Sequence, residues 1–344
     1  MPLIAYEQLI GKRVMHPIMD RNGVLLIPNG AVLTRDHIDR LDSFSIDIDD
    51  IKVEPVSESS MQAVQAESGA LVRRTEARLQ DIEHYVHTNG TVPIAELEEQ
   101  VLPVIKEAAS KRNLFQLFTD LKSMADFRYK QSIGVVVMSA MLGKWLRLDE
   151  QELALLATAA SLYDIGSVKL PSYLLNKPER FSHGETEIMK EHARLGYDLL
   201  RESDVDPRVA LVALQHHERE DGSGYPNGLK GSEIDPLSKI IALADIYVAM
   251  TSERPHRPAF AFYEVIQEIH RQIVQGRFDS AIGLTFLNQL MSAQIGSDVI
   301  LSDDRRGKIL LVNQNYPTSP FIVVDGEYID LSKSDSLKIK EIVG

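Results

Sequence analysis

Four short stretches place metal-competent side chains at the ends of otherwise apolar segments: "SLYD" with Asp164, "MKEH" with His192, "ALQHHE" with His216 and His217, and "IALAD" with Asp245. Any one of them alone reads as a satisfied core group or a helix cap. Adjacent histidines closing one helix, with an aspartate after "IALA" on another, read as a set. A buried carboxylate or imidazole must be paired or must coordinate something, because its desolvation costs several kcal/mol. A shared cation satisfies all of them at once. The chain has no cysteine, so any ion here is held by His, Asp or Glu, which favours iron, manganese, magnesium or zinc. Directly after the histidine pair, "EREDGSGYPNGLKG" (218–231) carries four glycines and a proline in fourteen positions. That composition describes a loop with defined turns, able to bring backbone amides and Tyr225 to a ligand.

The text from His216 to Pro226, "HHEREDGSGYP", resembles the signature of the HD-GYP family, a branch of the HD metal-dependent phosphohydrolases. "YDIGSVKLPSYLLNKP", "HARLGYDLL", "GLKGSEIDPLSKIIALADIYVAMTSERPHR" and "FDSAIGLTFL" agree with that family in order and spacing. The likeness covers roughly residues 120–292. It implies a helical bundle that uses two or three metal ions to hydrolyse cyclic di-GMP, with a variable sensory or regulatory segment in front. Carried over position by position, it implies metal ligands at Asp164, His192, His216, His217 and Asp245, and ligand contacts from Gly224, Tyr225 and Pro226.

Three positions depart from the family pattern. Gln131, in "YKQSIG", stands where the family has a histidine; Tyr163 replaces the histidine of the HD pair; Ser167 replaces the lysine that helps hold phosphate. Lys169 lies two residues further on, and Arg254 and Arg257 in "RPHRP" supply other cations for a phosphate. By the resemblance, one metal position keeps only Asp164 and Asp245 of its four ligands, whereas its neighbour keeps Asp164, His192, His216 and His217. The expected cofactor is therefore one divalent ion per chain or none, iron or manganese by preference. Tyrosine can ligate iron as a phenolate, but an unperturbed pKa near 10 makes that costly at neutral pH.

The elements that must position these residues form a helical segment from about 113 to 294, with apolar residues at three- and four-residue spacing through roughly seven helices. Within it, Ser182 and Glu185 have capping-box spacing. Residues 1–56 read as a small β-rich regulatory domain, with hairpin turns at Asn22-Gly23 and Asn29-Gly30 and a helix capped by Thr34. Residues 57–112 are polar and periodic, a helical connector broken at Asn89-Gly90 and suited to pairing with another chain. From 295 to 344 the pattern returns to strands, with a hairpin turn at Asp325-Gly326. The fold class is thus multi-domain α+β: an all-α HD-type bundle flanked by two small β units. His84, His87 and His270 are read as ordinary surface or core histidines.

A formal net charge of -13 argues against general nucleic-acid binding, which needs a basic face. It leaves room for one small anion, since a metal and a few cations reverse the field locally. The N-terminal residues carry no secretory pattern and no apolar run approaches about 18 residues, so a cytoplasmic protein is expected. Two lost histidines and a lost lysine should cost several kcal/mol of transition-state stabilisation. The leading expectation is a cyclic di-GMP-responsive regulatory protein whose flanking units or GYP loop contact a protein partner, with a homodimer through the connector. The alternatives are a slow phosphodiesterase on a reduced metal site and a ligand-free scaffold.

Overall fold

A computed structural model describes residues 6–16, 18–19, 25–27, 33, 37–38, 41, 44, 46–55, 58–97, 99, 127–175, 177, 179–253, 258–334 and 336–343. The chain opens with four short strands: β1 (Lys12–Val14), β2 (Ile18–Met19), β3 (Leu25–Ile27) and β4 (Val53–Pro55). β1 pairs with β4 and β2 with β3, both antiparallel. They enclose a small core of their own that includes Ile27, Leu33, Ile38 and Leu41. The turns expected at Asn22-Gly23 and Asn29-Gly30, and the cap at Thr34, lie outside the described residues. Helix α1 (Glu58–Asn89) lies within the segment expected to be a connector, whose residues 98 and 100–112 are outside the described ones, and it stops where Gly90 takes a positive φ of 73°, a conformation open to glycine at no steric cost.

The bundle consists of α2 (Phe127–Trp145), α3 (Glu150–Leu162), α4 (His183–Arg201), α5 (Pro207–Gln215), α6 (Pro236–Thr251), α7 (Phe262–Val274) and α8 (Ser280–Ser292), with a single turn at Ser172–Leu175. Side chains that satisfy first-turn amides open most of them. Asp149, Asp206, Asp235 and Asp279 each accept from a backbone N–H of the following turn. Ser182 and Glu185 close the expected capping box on α4. In α5 and α6 a proline follows the capping aspartate, where its fixed φ suits the helix and its missing N–H costs nothing. The inward faces bury Leu156, Val212, Ile241 and Phe286 almost completely, each worth about 1.5–3 kcal/mol relative to exposure.

Strands β5 (Asp298–Leu301), β6 (Arg306–Asn313), β7 (Tyr316–Val324), β8 (Glu327–Asp330) and β9 (Ile339–Val343) form one antiparallel sheet in the order β8-β7-β6-β5-β9. The β7–β8 hairpin turns at Asp325 and Gly326, both at positive φ (50° and 85°), as a two-residue type I′ connection requires. This sheet shares the bundle's apolar core, with Ile309, Ile322 and Ile339 in the same cluster as Phe286 and Leu287. Tyr263 on α7 donates its hydroxyl to the Thr318 carbonyl at 2.6 Å, and Asn288 on α8 donates to the Gln314 carbonyl at 2.9 Å. The fold is the α+β arrangement expected: a helical bundle with strands on both sides. Among the described residues no helix is long and apolar enough to cross a membrane.

Candidate metal and ligand site

Three of the helices that lead to the candidate ligands, α3, α5 and α6, are tied together by polar side chains. Arg208 on α5 donates to Glu152 on α3 at 2.6 Å and to Asp235, the cap of α6, at 2.8 Å. Gln215, the last residue of α5, accepts from the Asp235 amide at 2.8 Å. α3 delivers Tyr163 and Asp164 at its end, and the chain continues as a 3-10 turn, Ile165–Lys169, that packs on α4. Gly166 makes this approach possible. A Cβ there would collide with the His192 carbonyl and the Gly196 amide.

Three histidines converge. Ligand atoms of His192, His216 and His217 all lie within 4.8 Å of one another. His192 directs Nδ1 to the Met189 carbonyl at 2.6 Å, and His216 directs Nδ1 to the Ala213 carbonyl at 2.9 Å. A carbonyl only accepts, so both Nδ1 atoms carry hydrogen. The Nε2 atoms of the two rings then face each other at 3.2 Å. Burial drives His216 and His217 well below the ordinary imidazole pKa, which leaves both neutral at pH 7 and fit to ligate. Two facing ring nitrogens at this distance need a proton or a cation between them. Two imidazoles on one ion, each about 2.0–2.1 Å from it, sit about 3 Å apart, so the arrangement fits a divalent metal. Asp164 joins through His192, with Oδ1 3.6 Å from Nε2. Its carboxyl is pushed up to about 6 by burial and by Asp245, against the pull of His192.

Asp245 stands in different company. Tyr163 donates its hydroxyl to Asp245 Oδ1 at 3.0 Å, and Gln131 Nε2 donates to the same oxygen at 2.8 Å and to the Asp245 carbonyl at 3.0 Å. Burial, with Asp245 beside it, holds the Tyr163 phenol well above its usual pKa, so it is a neutral donor and not a phenolate. Tyr163 and Gln131 therefore satisfy one carboxylate oxygen of Asp245 by hydrogen bonding.

The loop after His217 is anchored from beneath. Glu218 is 2% exposed and accepts from the amides of Asn227 at 2.7 Å and Leu229 at 3.0 Å. Gly224 packs so closely on the His217 carbonyl and the Glu218 backbone that any Cβ would collide with them. Tyr225 is consequently laid on His217, ring centroids 4.6 Å apart and 26° from parallel. Sequence reasoning passed over Glu218, although a carboxylate next to two buried histidines was the available signal. Glu218→Gln sets an amide N–H₂ against a backbone N–H, and is expected to cost about 2–3 kcal/mol and to raise amide exchange across 222–231.

Of the other residues singled out, Ser167 lines a cleft beside Asp164 and Lys169 is exposed at the end of its turn. Pro226 follows Tyr225 in the anchored loop. Arg254 and Arg257 lie outside the described residues.

Residues 103–282 match the HD domain family, and the chain belongs to it. Within that class its relatives place it in the HD-GYP branch. It is 37% identical over 137 residues to the cyclic di-GMP phosphodiesterase response regulator RpfG of Xanthomonas campestris pv. campestris, covering 39% of this chain and 36% of that protein. It is 32% identical over 200 residues to the 3'3'-cGAMP-specific phosphodiesterase 1 of Vibrio cholerae serotype O1, covering 58% and 46% respectively. The chain thus matches between about a third and a half of the length of these relatives. A solved structure of an HDG"Y"P protein from Bdellovibrio bacteriovorus, 17% identical, covers 82% of this chain and 96% of its own with a TM-score of 0.48.

Proposed function

We propose that this chain is a regulatory HD-GYP protein of bacterial cyclic di-GMP signalling that binds a cyclic dinucleotide more readily than it hydrolyses one. The observation that supports this reading is the pair of donors on Asp245. Tyr163 and Gln131 meet that carboxylate's need for positive charge with neutral hydrogen bonds, so a cation is no longer required there. In the neighbouring group the Nε2 atoms of His192 and His216 face each other, and one divalent ion, iron or manganese, would be held by His192, His216 and His217 with Asp164 beside them.

Such an ion supplies Lewis acidity toward a phosphate oxygen and lowers the pKa of bound water. The protein's own contribution is mainly positional. Backbone carbonyls of α4 and α5 fix the ring tautomers of His192 and His216. Tyr225 caps His217, and the Lys190 ammonium lies over the Tyr225 ring, 5.5 Å from its centroid. Without the second ion of a two-metal clamp, charge on attacking and leaving oxygens is poorly stabilised, so ligand stays bound and turnover is slow. The intact histidine triad favours slow hydrolysis as the second reading over a ligand-free scaffold. A cytoplasmic location and a protein partner at the N-terminal unit or the GYP loop belong to the same proposal.

Metal content of the purified protein, measured alongside cyclic di-GMP binding and hydrolysis with added manganese or iron, tests it. One ion per chain with bound, unchanged nucleotide is the expected result. Two ions with steady release of the linear dinucleotide would favour the enzyme, and no binding at all the scaffold. His217→Ala, at a half-buried position, is expected to lose the metal while leaving the helical signal in circular dichroism intact.

A further inference from the structure

The connector helix places a carboxylate against the same site. Glu83, on α1, lines a cleft with Arg128, Tyr129, Ser132, Asp164 and Ser167. Tyr129 donates its hydroxyl to Glu83 Oε2 at 2.6 Å, and Arg128 Nη1 lies 3.8 Å from that same oxygen. Two donors from the first turn of α2 thus converge on one anionic oxygen carried by a different segment of the chain. Among the described residues lining the cleft Arg128 is the one Lys or Arg, and its side chain is 36% exposed. Both Glu83 and Arg128 act through space on Asp164, so the cleft and the metal-ligand group share one electrostatic neighbourhood.

We infer that Arg128 and Tyr129 form a phosphate subsite that Glu83 occupies when no ligand is present. The inference rests on the nucleotide-binding reading for the origin of the phosphate, and on the cleft itself for the subsite. A phosphate oxygen accepts from the same donors as a carboxylate oxygen, and a guanidinium fork matches a phosphate better than a point charge does. A cyclic dinucleotide carries two phosphates, so one held beside Asp164 leaves a second needing a cation. Ser167 cannot supply that charge, but Ser132 and Ser167 line the cleft as residues with a hydroxyl to donate; the Ser161 hydroxyl already donates to the Ala157 carbonyl at 2.8 Å. At 3.8 Å the Arg128–Glu83 pair is an ion pair outside hydrogen-bonding reach, which an anion with better geometry displaces. Displacing Glu83 repels it from the bound phosphate and loosens the polar contact between α1 and α2, while Leu79, Ile82 and Val86 keep α1 in the shared core. Ligand occupancy and connector position are then coupled, each weakening the other to the same degree.

Titration of the full-length protein with inorganic phosphate at constant ionic strength, followed by hydrogen exchange of amides 79–90, tests the subsite without any nucleotide. Phosphate is expected to speed exchange across that stretch in the wild type. Glu83→Gln keeps an acceptor for Tyr129 but loses the charge; it is expected to exchange faster without ligand and to bind phosphate on the order of tenfold tighter. Arg128→Ala is expected to show no phosphate response. An unchanged exchange rate in the wild type, or equal phosphate affinities for wild type and Glu83→Gln, overturns the inference. Labelled cyclic di-GMP titrated into the same three proteins separates the two readings. A phosphate response without nucleotide binding keeps the subsite and removes the nucleotide. Equal nucleotide binding by all three removes the subsite.

Discussion

Placing histidine at both 131 and 163 is expected to add one metal ion per chain and to raise cyclic di-GMP hydrolysis on the order of 10³-fold. The effect should be steeply non-additive. Tyr163→His alone leaves Gln131 donating to Asp245 Oδ1 at 2.8 Å and to its carbonyl at 3.0 Å, so the carboxylate stays turned toward the amide. Gln131→His alone leaves the Tyr163 hydroxyl on the same oxygen. Only the double change removes both neutral donors and supplies two imidazoles in their place. Tyr163→Phe is the control, because it removes one donor and adds no ligand; Asp245 then loses a hydrogen bond without gaining a metal. Metal analysis and product formation on the four proteins are the measurements. A double variant with unchanged metal content would show that the clamp on Asp245 is not what sets the number of ions.

The second large effect is expected from Gly166→Ala. A methyl group there meets the His192 carbonyl and the Gly196 amide, backbone atoms inside α4 that cannot turn aside as a side chain can. Either the 3-10 turn lifts off α4 or α4 shifts along its length. Overpacking of this kind typically costs 1–3 kcal/mol and at times more, and the rigid neighbours put this site at about 3 kcal/mol or above. The functional loss should exceed the loss of stability, because the same turn fixes Asp164 relative to His192, now 3.6 Å apart. Denaturant midpoint and metal affinity, measured together, check it. A stable variant with normal metal affinity would mean that the turn is free to relax.

Some of this was legible in the sequence and some was not, for physical reasons. The three histidines that converge could be picked out because imidazole at the ends of apolar helices is costly without a partner, and that cost shows at each position separately. The capping box at Ser182 and Glu185 and the turn at Asp325-Gly326 are local, and both occur in the structure. The fate of Asp245 was not local. Its donors lie 82 and 114 residues away in the chain, and the sequence presents Gln131 and Tyr163 as lost histidines or poor metal ligands, not as donors to Asp245. Glu83 was hidden for the same reason, being one acidic residue among many on a polar helix. The steric role of Gly166 became visible only once α4 lay against it.

The apolar core runs without interruption from Leu79 on α1 to Ile339 on β9, while residues 6–55 pack around a separate one. Cooperativity in small proteins follows the core. The connector, bundle and terminal sheet should therefore melt in a single transition, and the first fifty-odd residues in another. The two ends of the chain differ accordingly in how far they can be exchanged. A new input module can be spliced on ahead of α1 without disturbing the helices. The closing sheet cannot be removed, because Ile309, Ile322 and Ile339 serve the bundle as much as the sheet. Among the described residues the boundary between cores lies at the front, and that is where recombination, in a genome or at the bench, has a workable junction.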